Sequence, residues 1–349
     1  MILVFGATGF SGRLTAEQLV SRGLPVRAAA RSAEKLEELA NEFPGIETVV
    51  ADVADPPSVL RAVQGCELLI TTVGPYTKFG DVAAEAALAA GVPYIDITGE
   101  PAWLRKVFGG YSARALEAGI AMLPAFGYDY VPGNLAGALL LERFGDHTTR
   151  IDIGYCLATK SERSTKSFSK GTLDSLEASS GEKPFAFAGG ELVDVTGPRK
   201  KLAFELDGQP VSAVAIGGSE HFTLPRLARG LVDVNVGLGW FQPGEAASAD
   251  SIADENAPAA GPSAEVRQRA RARIVAVARD ASGEELATID VDGPNPYDMS
   301  GLLCGWAGQA ILDGAQLPTG AIGPVEAFGL ERLRKGCAEV GITAAYRGE

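Results

Sequence analysis

The feature that most constrains the fold is a set of three glycines directly behind an apolar segment. Residues 2–5 (Ile-Leu-Val-Phe) predict a buried strand, Gly6, Gly9 and Gly12 follow at three-residue spacing, and residues 13–20 have the apolar spacing of a helix. A strand, a glycine turn and a helix in this order bind dinucleotides, because the glycines allow a tight turn and let a phosphate approach bare backbone. The helix N-terminus also presents free N–H groups to a pyrophosphate. The expected phosphate-binding residues are Gly6, Ala7, Thr8, Gly9, Phe10, Ser11 and Gly12.

The end of the second predicted strand, residues 25–30, indicates which dinucleotide binds. Sites for NAD usually carry an acidic residue there, about 20 residues after the glycines. This chain instead has Arg31 and Ser32, with Lys35 four residues after Arg31. A guanidinium binds a phosphate through two N–H groups, so these residues suit a ribose 2′-phosphate and predict NADP(H). The alternative is that Arg31 is a solvated residue at a helix start.

Further strands alternate with helices up to about residue 124, which predicts a parallel doubly wound sheet. The third predicted strand, residues 48–51, ends at a position that often contacts adenine in such folds. The fourth, residues 67–73, ends in a loop at the carboxyl edge of the sheet, where ligands bind. These two turns supply the remaining cofactor candidates: Asp52, Val73, Gly74, Pro75 and Tyr76.

The pattern changes after residue 132, where longer, alternating strands are predicted at residues 150–159, 201–206, 209–216, 231–240, 271–279 and 285–291. Alternation of this kind favours a mostly antiparallel sheet. We therefore expect an α/β Rossmann domain at residues 1–132 and an α+β substrate or dimerisation domain at residues 133–295. Residues 245–262, rich in Ala, Ser, Asp and Pro, are predicted to be a mobile loop. Two final helices are predicted at residues 296–314 and 325–341.

The composition excludes several classes of protein. A net charge of −13 argues against nucleic acids and anionic membrane surfaces as partners. No apolar run approaches the ~20 residues of a membrane span, and a strand beginning at Ile2 leaves no room for a signal peptide. The 4 cysteines are widely spaced and form no CxxC pair, and there are only 2 histidines. We therefore expect a cytoplasmic protein with reduced thiols, a small-molecule substrate and no metal.

With these motifs in place, the chain resembles the saccharopine dehydrogenase family, and most of all its branch of bacterial trans-acting enoyl reductases. The resemblance implies an NAD(P)H-dependent oxidoreductase, a homodimer built on the second sheet, and packing of residues 296–349 against the nucleotide domain. The family often has Cys-Gly-Phe-Asp-Ser-x-Pro where this chain has FGYDYVP at 126–132. Aromatic residues here replace the family's Cys and Ser, and they would reshape a substrate pocket. The motifs that carry the resemblance are GATGFSG at 6–12, VGPY at 73–76, GVPYIDITGE at 91–100, GYDYVP at 127–132, KGT at 170–172, GPS at 261–263 and NPY at 295–297.

A nicotinamide enzyme must place an electrophilic carbon beside the cofactor and supply a proton. Tyr76 is a candidate for donating that proton or for binding a developing anion, and its alternative role is packing against the cofactor. Tyr128 and Asp129 lie at the predicted hinge between domains, where ligand sites concentrate, although ordinary junction packing is the alternative. Further substrate-binding candidates are Glu100, Tyr130, Lys170 and His221. For Glu100 the alternative is capping of the next helix or a hydrogen bond to a loop.

These features predict an NADP(H)-dependent reductase acting on a C=C (enoyl) or C=N bond of a small or lipid-like substrate. One alternative is a saccharopine-type amino-acid oxidoreductase, which needs cations to hold two or more carboxylates. The run of Lys160, Arg163, Lys166 and Lys170 keeps that alternative open. The other is a non-catalytic, NADP-binding regulatory or scaffold protein with the same fold.

Overall fold

The chain builds two β-sheets, which a computed structural model describes over residues 1–159, 168–179, 183–239 and 261–349. The predicted positions Lys160, Arg163 and Lys166 lie outside the described residues, as does most of the loop predicted at 245–262. Within the described ranges, no helix combines the length and the apolar character that a membrane crossing requires.

The first sheet contains seven parallel strands in the order β15-β6-β5-β4-β1-β2-β3. Its strands are β1 (Ile2–Phe5), β2 (Val26–Ala30), β3 (Glu47–Val50), β4 (Leu68–Thr71), β5 (Tyr94–Asp96), β6 (Ala121–Leu123) and β15 (Gly320–Ala321). Strand order reverses between β1 and β4, and such a switch point opens a crevice at the carboxyl ends of the strands. The apolar residues of β1, β4, β5 and β6 are buried, as expected for a sheet covered on both faces.

Helices connect these strands as the doubly wound fold requires. They are α1 (Phe10–Ser21), α2 (Ala33–Glu42), α3 (Pro56–Val63), α4 (Tyr76–Ala90), α5 (Pro101–Lys106) and α6 (Ser112–Glu117). The sequence predicts one helix over residues 103–118, but a π-helical turn at Val107–Tyr111 separates α5 from α6. The prediction of a parallel doubly wound sheet is confirmed.

The second sheet is mixed and mostly antiparallel, also as predicted. Its main path runs β10-β11-β12-β7-β13-β14-β16, with β8 and β9 attached beside β12, and among the described strands only β12 and β7 pair in parallel. The strands are β7 (Arg150–Thr159), β8 (Phe185–Ala188), β9 (Glu191–Asp194), β10 (Lys201–Leu206), β11 (Gln209–Ile216), β12 (Asp233–Gly239), β13 (Ala270–Arg279), β14 (Glu285–Gly293) and β16 (Thr343–Tyr346). Three helices accompany them, α7 (Val131–Phe144), α8 (Lys170–Ser179) and α9 (Glu220–Leu227), and the short α10 (Ala264–Gln268) precedes β13.

The last part of the chain contacts both sheets. Helix α11 (Pro296–Leu312) crosses α1 closely, since a Cβ atom on Gly301 would lie 3.2 Å from the backbone of Leu14. The single helix predicted over 325–341 is instead α12 (Pro324–Phe328) and α13 (Leu330–Glu339), divided at Gly329, whose φ is 74°. β15 then belongs to the first sheet and β16 to the second. The division into domains at residues 132 and 295 stays a prediction.

Candidate functional site

The glycine turn has the backbone shape that a phosphate site needs. Gly6 has φ +91°, and a Cβ atom on Gly12 would lie 2.1 Å from the Gly6 carbonyl oxygen, so strand and helix could not approach without glycine. Gly9 is exposed at the N-cap of α1 and supplies no side chain to cap it. The first N–H groups of α1 are therefore left open to an anion.

The other residues of the turn surround this helix start. Ala7 is buried, Thr8 is half-buried, and Ser11 opens into a cleft described below. The ring of Phe10 packs edge-on against Tyr297, with the ring centroids 5.0 Å apart. This contact joins the phosphate turn to the start of α11.

Arg31, Ser32 and Lys35 follow β2 at the carboxyl edge of the sheet. In the described chain the exposed Arg31 side chain makes no hydrogen bond or ion pair, so its guanidinium is available to an anion. The Ser32 hydroxyl caps α2 by accepting a 3.3 Å hydrogen bond from the backbone N–H of Lys35. Asp52, after β3, accepts a 2.9 Å bond from the N–H of Ala54. Because β2 and β3 are paired, these residues share one corner of the sheet.

The loop after β4 lies against the glycine turn, as its position predicts. A Cβ atom on Gly6 would meet Thr72 Oγ1 and Val73 Cγ2, each at 2.8 Å. Gly74 and Pro75 continue this loop, and Gly74 lines the cleft. The loop therefore stands beside the phosphate turn at the point where strand order reverses.

The orientation of Tyr76 differs from the one expected of a proton donor. Its ring is buried and stacks on Trp103 with the centroids 6.5 Å apart. Its hydroxyl donates a 3.1 Å hydrogen bond to the carbonyl oxygen of Thr71, inside the protein. Tyr76 lines the cleft, but its hydroxyl points into the protein core. This geometry favours packing against the cofactor as the role of Tyr76.

A cleft occupies the switch point, where open α/β folds bind their ligands. The first sheet supplies Ser11, Thr72, Gly74, Gly99, Glu100 and Asp129. The opposite wall comes from α8 and the residue before it, and from the second sheet: Ser169, Thr172, Ser175, Leu176, Ile216 and Leu238. The cleft thus brings residues of the predicted cofactor turns together with apolar and hydroxyl groups from beyond residue 132.

Asp129 has the most unusual environment in this cleft. Part of its side chain opens into the cleft, but no residue of the described chain donates a hydrogen bond to its Oδ1 atom. The carboxyl lies deep in the protein, and this burial raises the pKa of Asp129 to about 7. A Cβ atom on Gly99 would stand 2.9 Å from Oδ2, so the glycine makes room for the carboxyl. A carboxyl with this pKa suits a general acid at neutral pH.

Glu100 has a structural role at the same edge of the sheet. Its carboxylate accepts 2.8 Å hydrogen bonds from the backbone N–H groups of Tyr76 and Thr77, the first two residues of α4. The hydroxyls of Thr77 and Ser175 also donate to it, at 2.8 and 2.7 Å. Glu100 therefore caps α4 and contacts α8. The sequence alternative was a cap on the next helix, but the Glu100 side chain makes no capping hydrogen bond to α5 and instead caps α4, which precedes it in the chain.

The remaining candidates divide into two groups. Tyr130 lines the cleft, and its hydroxyl lies 3.4 Å from the Gly217 carbonyl oxygen. Tyr128 is buried outside the cleft lining. Lys170 is exposed and pairs with Asp174 at 2.9 Å. His221 is enclosed, and this burial lowers its pKa to about 4. The structure therefore places Asp129 and Tyr130 at the cleft, but not Lys170 or His221.

Sequence reasoning did not select the hydroxyl groups on the α8 side of the cleft. The Tyr297 hydroxyl accepts a 2.8 Å hydrogen bond from the N–H of Ser169 and lies 2.9 Å from Thr172 Oγ1. The sequence did contain a signal that these hydroxyl groups matter, because Thr172 and Tyr297 belong to two of the motifs that carry the family resemblance. Their spacing of more than a hundred residues gave no indication that they meet.

Comparison with known proteins first defines the class. Residues 6–95 match the family model described as NAD(P)H-binding. Together with the glycine turn and the parallel sheet, this match defines an NAD(P)H-binding protein of the Rossmann type. The whole chain has the fold of saccharopine dehydrogenase (L-Glu forming) from Saccharomyces cerevisiae, with a TM-score of 0.65, 99% coverage of both chains and 14% sequence identity.

Two characterised relatives are similar in sequence over part of the chain. A lipid droplet localized protein from Caenorhabditis elegans is 32% identical over 187 residues, which cover 50% of this chain and 43% of that one. A trans-acting enoyl reductase from Mycobacterium ulcerans is 36% identical over 143 residues, covering 38% of this chain and 34% of that one. The chain thus spans less than half the length of the curated relatives it matches. The resemblance to saccharopine dehydrogenase-like proteins and to trans-acting enoyl reductases is confirmed.

Proposed function

We propose that the protein is an NADP(H)-dependent reductase in which Asp129 supplies the proton. The observation that carries this proposal is the position of the Asp129 carboxyl, with a free and buried Oδ1, in a cleft that Ser11 and Gly74 of the cofactor turns also line. A hydride acceptor bound there would lie between the cofactor turns and an acid that is about half protonated at neutral pH.

The residues present fit a phosphorylated dinucleotide. The glycine turn and the uncapped start of α1 suit the pyrophosphate, and the unpaired Arg31 suits a 2′-phosphate. Asp52 lies at the corner expected for the adenosine half, and the loop at residues 73–76 lies at the corner expected for the nicotinamide half. When bound, the reduced nicotinamide supplies the hydride. Asp129 holds the proton that the neighbouring atom of the substrate requires.

The lining of the cleft favours a C=C substrate with an apolar body. Ile97, Leu176, Ile216 and Leu238 form its apolar surface, and among the described lining residues Arg199 is the single cation. Saccharopine-type chemistry needs cations to hold two or more carboxylates, so the described lining offers less support to that alternative. The similarity to proteins named trans-acting enoyl reductases also supports an enoyl substrate.

The first experiment is a thermal-shift titration with NADPH and NADH in parallel. A ligand at 100 times its dissociation constant adds ~2.7 kcal/mol to the free energy of unfolding, which raises the melting temperature by several degrees. We expect a larger shift with NADPH, followed by oxidation of NADPH in the presence of 2-enoyl thioesters. Turnover only with a 2-oxo acid and an amino acid would support the saccharopine-type alternative. NADPH binding without turnover of either substrate class would support the regulatory or scaffold alternative.

We further propose a cytoplasmic homodimer. The four cysteines are buried and none forms a disulfide, which is consistent with a reducing compartment, and the dimer rests on the family resemblance. Sedimentation equilibrium of the full chain tests the dimer, and a monomer at micromolar concentration would contradict it.

A further inference from the structure

We infer that Tyr155 and Glu220 form a positioning pair that holds the turn carrying Asp129, and that the pair holds this turn when Glu220 is protonated. The functional part of this inference rests on the proposed role of Asp129 as the acid. The structural part stands by itself and has its own test.

Tyr155 contacts the residues on both sides of Asp129. Its ring, on β7, packs edge-on against Tyr128 and Tyr130, with centroid separations of 5.4 and 5.5 Å. All three tyrosines are buried. A displacement of Tyr155 would therefore move the short turn between the other two rings, which is the turn that presents the Asp129 carboxyl to the cleft.

The contacts of the Tyr155 hydroxyl show how the pair can hold the backbone of the turn. The backbone N–H of Gly133 donates to this oxygen at 3.0 Å, the Tyr130 carbonyl oxygen lies at 3.3 Å, and Glu220 Oε1 lies at 2.6 Å. The hydroxyl has a single hydrogen, and the Tyr130 carbonyl can only accept. If Glu220 is ionised, that hydrogen serves either Glu220 or Tyr130. If Glu220 is protonated, it can donate to Tyr155 and Tyr155 can donate to Tyr130, whose carbonyl oxygen also accepts from the N–H and the Nδ2 of Asn134 at 3.2 and 2.8 Å. The protonated acid thus adds a hydrogen bond between the pair and the backbone of the turn.

In the described chain the Glu220 carboxylate has little stabilisation beyond the Tyr155 hydroxyl and its own backbone N–H. The side chain is fully buried, and no described residue donates to Oε2. Cβ atoms on Gly133 and Gly218 would lie 2.4 and 2.5 Å from its two oxygens, so both glycines are needed to admit the carboxyl. Within the described ranges no lysine or arginine pairs with it.

The titratable groups around Glu220 do not all act in the same direction, because the Asp129 charge raises the pKa of Glu220 while the hydrogen bond from Tyr155 lowers it. These groups are Tyr155 from β7, Asp129 and Tyr130 from the turn before α7, and His221 from its own helix. His221 is itself neutral near pH 7, and its Nδ1 lies 3.0 Å from the Gly218 N–H. Burial, with a smaller contribution from the Asp129 charge, raises the pKa of Glu220 to about 8. Glu220 therefore keeps its proton while Asp129 gives up and regains its own.

The test compares Glu220→Gln, Glu220→Ala and Tyr155→Phe with the exposed control Glu191→Gln. Because the folded protein holds the Glu220 proton and the unfolded chain does not, stability falls as pH rises from about 4.5 to about 8. Gln cannot ionise, so Glu220→Gln should show a smaller fall of the melting temperature over this range than the unmodified protein and Glu191→Gln show. An unchanged fall in Glu220→Gln would overturn the inference. This measurement needs neither cofactor nor substrate, so it stands even if the proposed function fails.

Activity supplies a second readout once an enoyl thioester substrate turns over. A Gln amide can donate to Tyr155 as the protonated acid does, so we expect Glu220→Gln to keep kcat within about threefold. Glu220→Ala and Tyr155→Phe should lower kcat by about tenfold or more with a smaller change in KM, because the acid is misplaced. Both should still bind NADPH with unchanged affinity. A Tyr155→Phe variant with unchanged kcat would contradict the positioning role.

Discussion

A Cβ atom on Gly12 would stand 2.1 Å from the carbonyl oxygen of Gly6, far inside any permitted contact. Gly12→Ala must therefore push α1 away from β1, and we expect a loss of stability of about 1–3 kcal/mol. At Gly9 the added atom would meet only the same oxygen at 3.2 Å, on the exposed side of the turn.

Gly9→Ala is the matched variant for the phosphate site. We expect it to melt within a few degrees of the unmodified protein and to lose most of its affinity for NADPH, because the methyl group takes the place of the phosphate. Thermal unfolding with and without NADPH measures both effects. Tight NADPH binding by Gly9→Ala would show that the pyrophosphate does not use this turn.

Arg31 is predicted to select the phosphorylated cofactor. Arg31→Glu should weaken NADPH binding by roughly 1.5–3 kcal/mol, the scale of hydrogen bonds to charged groups, while NADH binding changes less. Titration by calorimetry measures both affinities. Arg61→Glu, an exposed change on α3, is the control for net charge. Equal losses for the two cofactors in Arg31→Glu would contradict a contact with the 2′-phosphate.

Asp129 is predicted to set the pH dependence of the reaction. Because its protonated form is the active one and its pKa is about 7, the rate should fall as pH rises through that value. Asp129→Asn should lower kcat by about 10²–10⁴-fold. Its NADPH affinity should match that of the unmodified protein and of Asp174→Asn, a control on the exposed face of α8. A pH profile that Asp129→Asn leaves intact would assign the acid elsewhere.

Tyr76→Phe separates packing from catalysis. The variant loses the buried hydrogen bond to Thr71, so we expect a loss of unfolding free energy of about 1 kcal/mol. The single-turnover rate of NADPH oxidation should not change, because the hydroxyl points away from the cleft. A large decrease in that rate with normal NADPH affinity would restore Tyr76 as a candidate donor.

The parts of the fold that could be predicted are those specified by neighbouring residues. The glycine turn and the longer strands of both sheets follow from short-range spacing and from the chemistry of single side chains, whereas the short strands β8, β9, β15 and β16 were not predicted. The break at Gly329 was missed because the apolar spacing continues across it. Helix α9 was missed because Pro225 lies within it and obscures the helical pattern.

The site was less predictable, because it depends on contacts between distant parts of the chain. Asp129 was selected by its place at the hinge, but its free Oδ1 depends on Gly99 and on the enclosing walls. The direction of the Tyr76 hydroxyl depends on stacking against Trp103. The meeting of Tyr155 with Glu220 follows from the packing of α9 on β12, the neighbour of β7, which no local pattern reveals.

The contribution of residues 320–321 to the first sheet has a consequence for biosynthesis. In synthesis the glycine turn precedes β15 and the α11 surface that covers α1, and the strands β7 to β14 of the second sheet lie between them in the chain. In the nascent chain, the edge of the first sheet at β6 and one surface of α1 therefore stay exposed until translation has passed residue 321. Completion of this half of the molecule is a late event that follows synthesis of the second sheet's long strands.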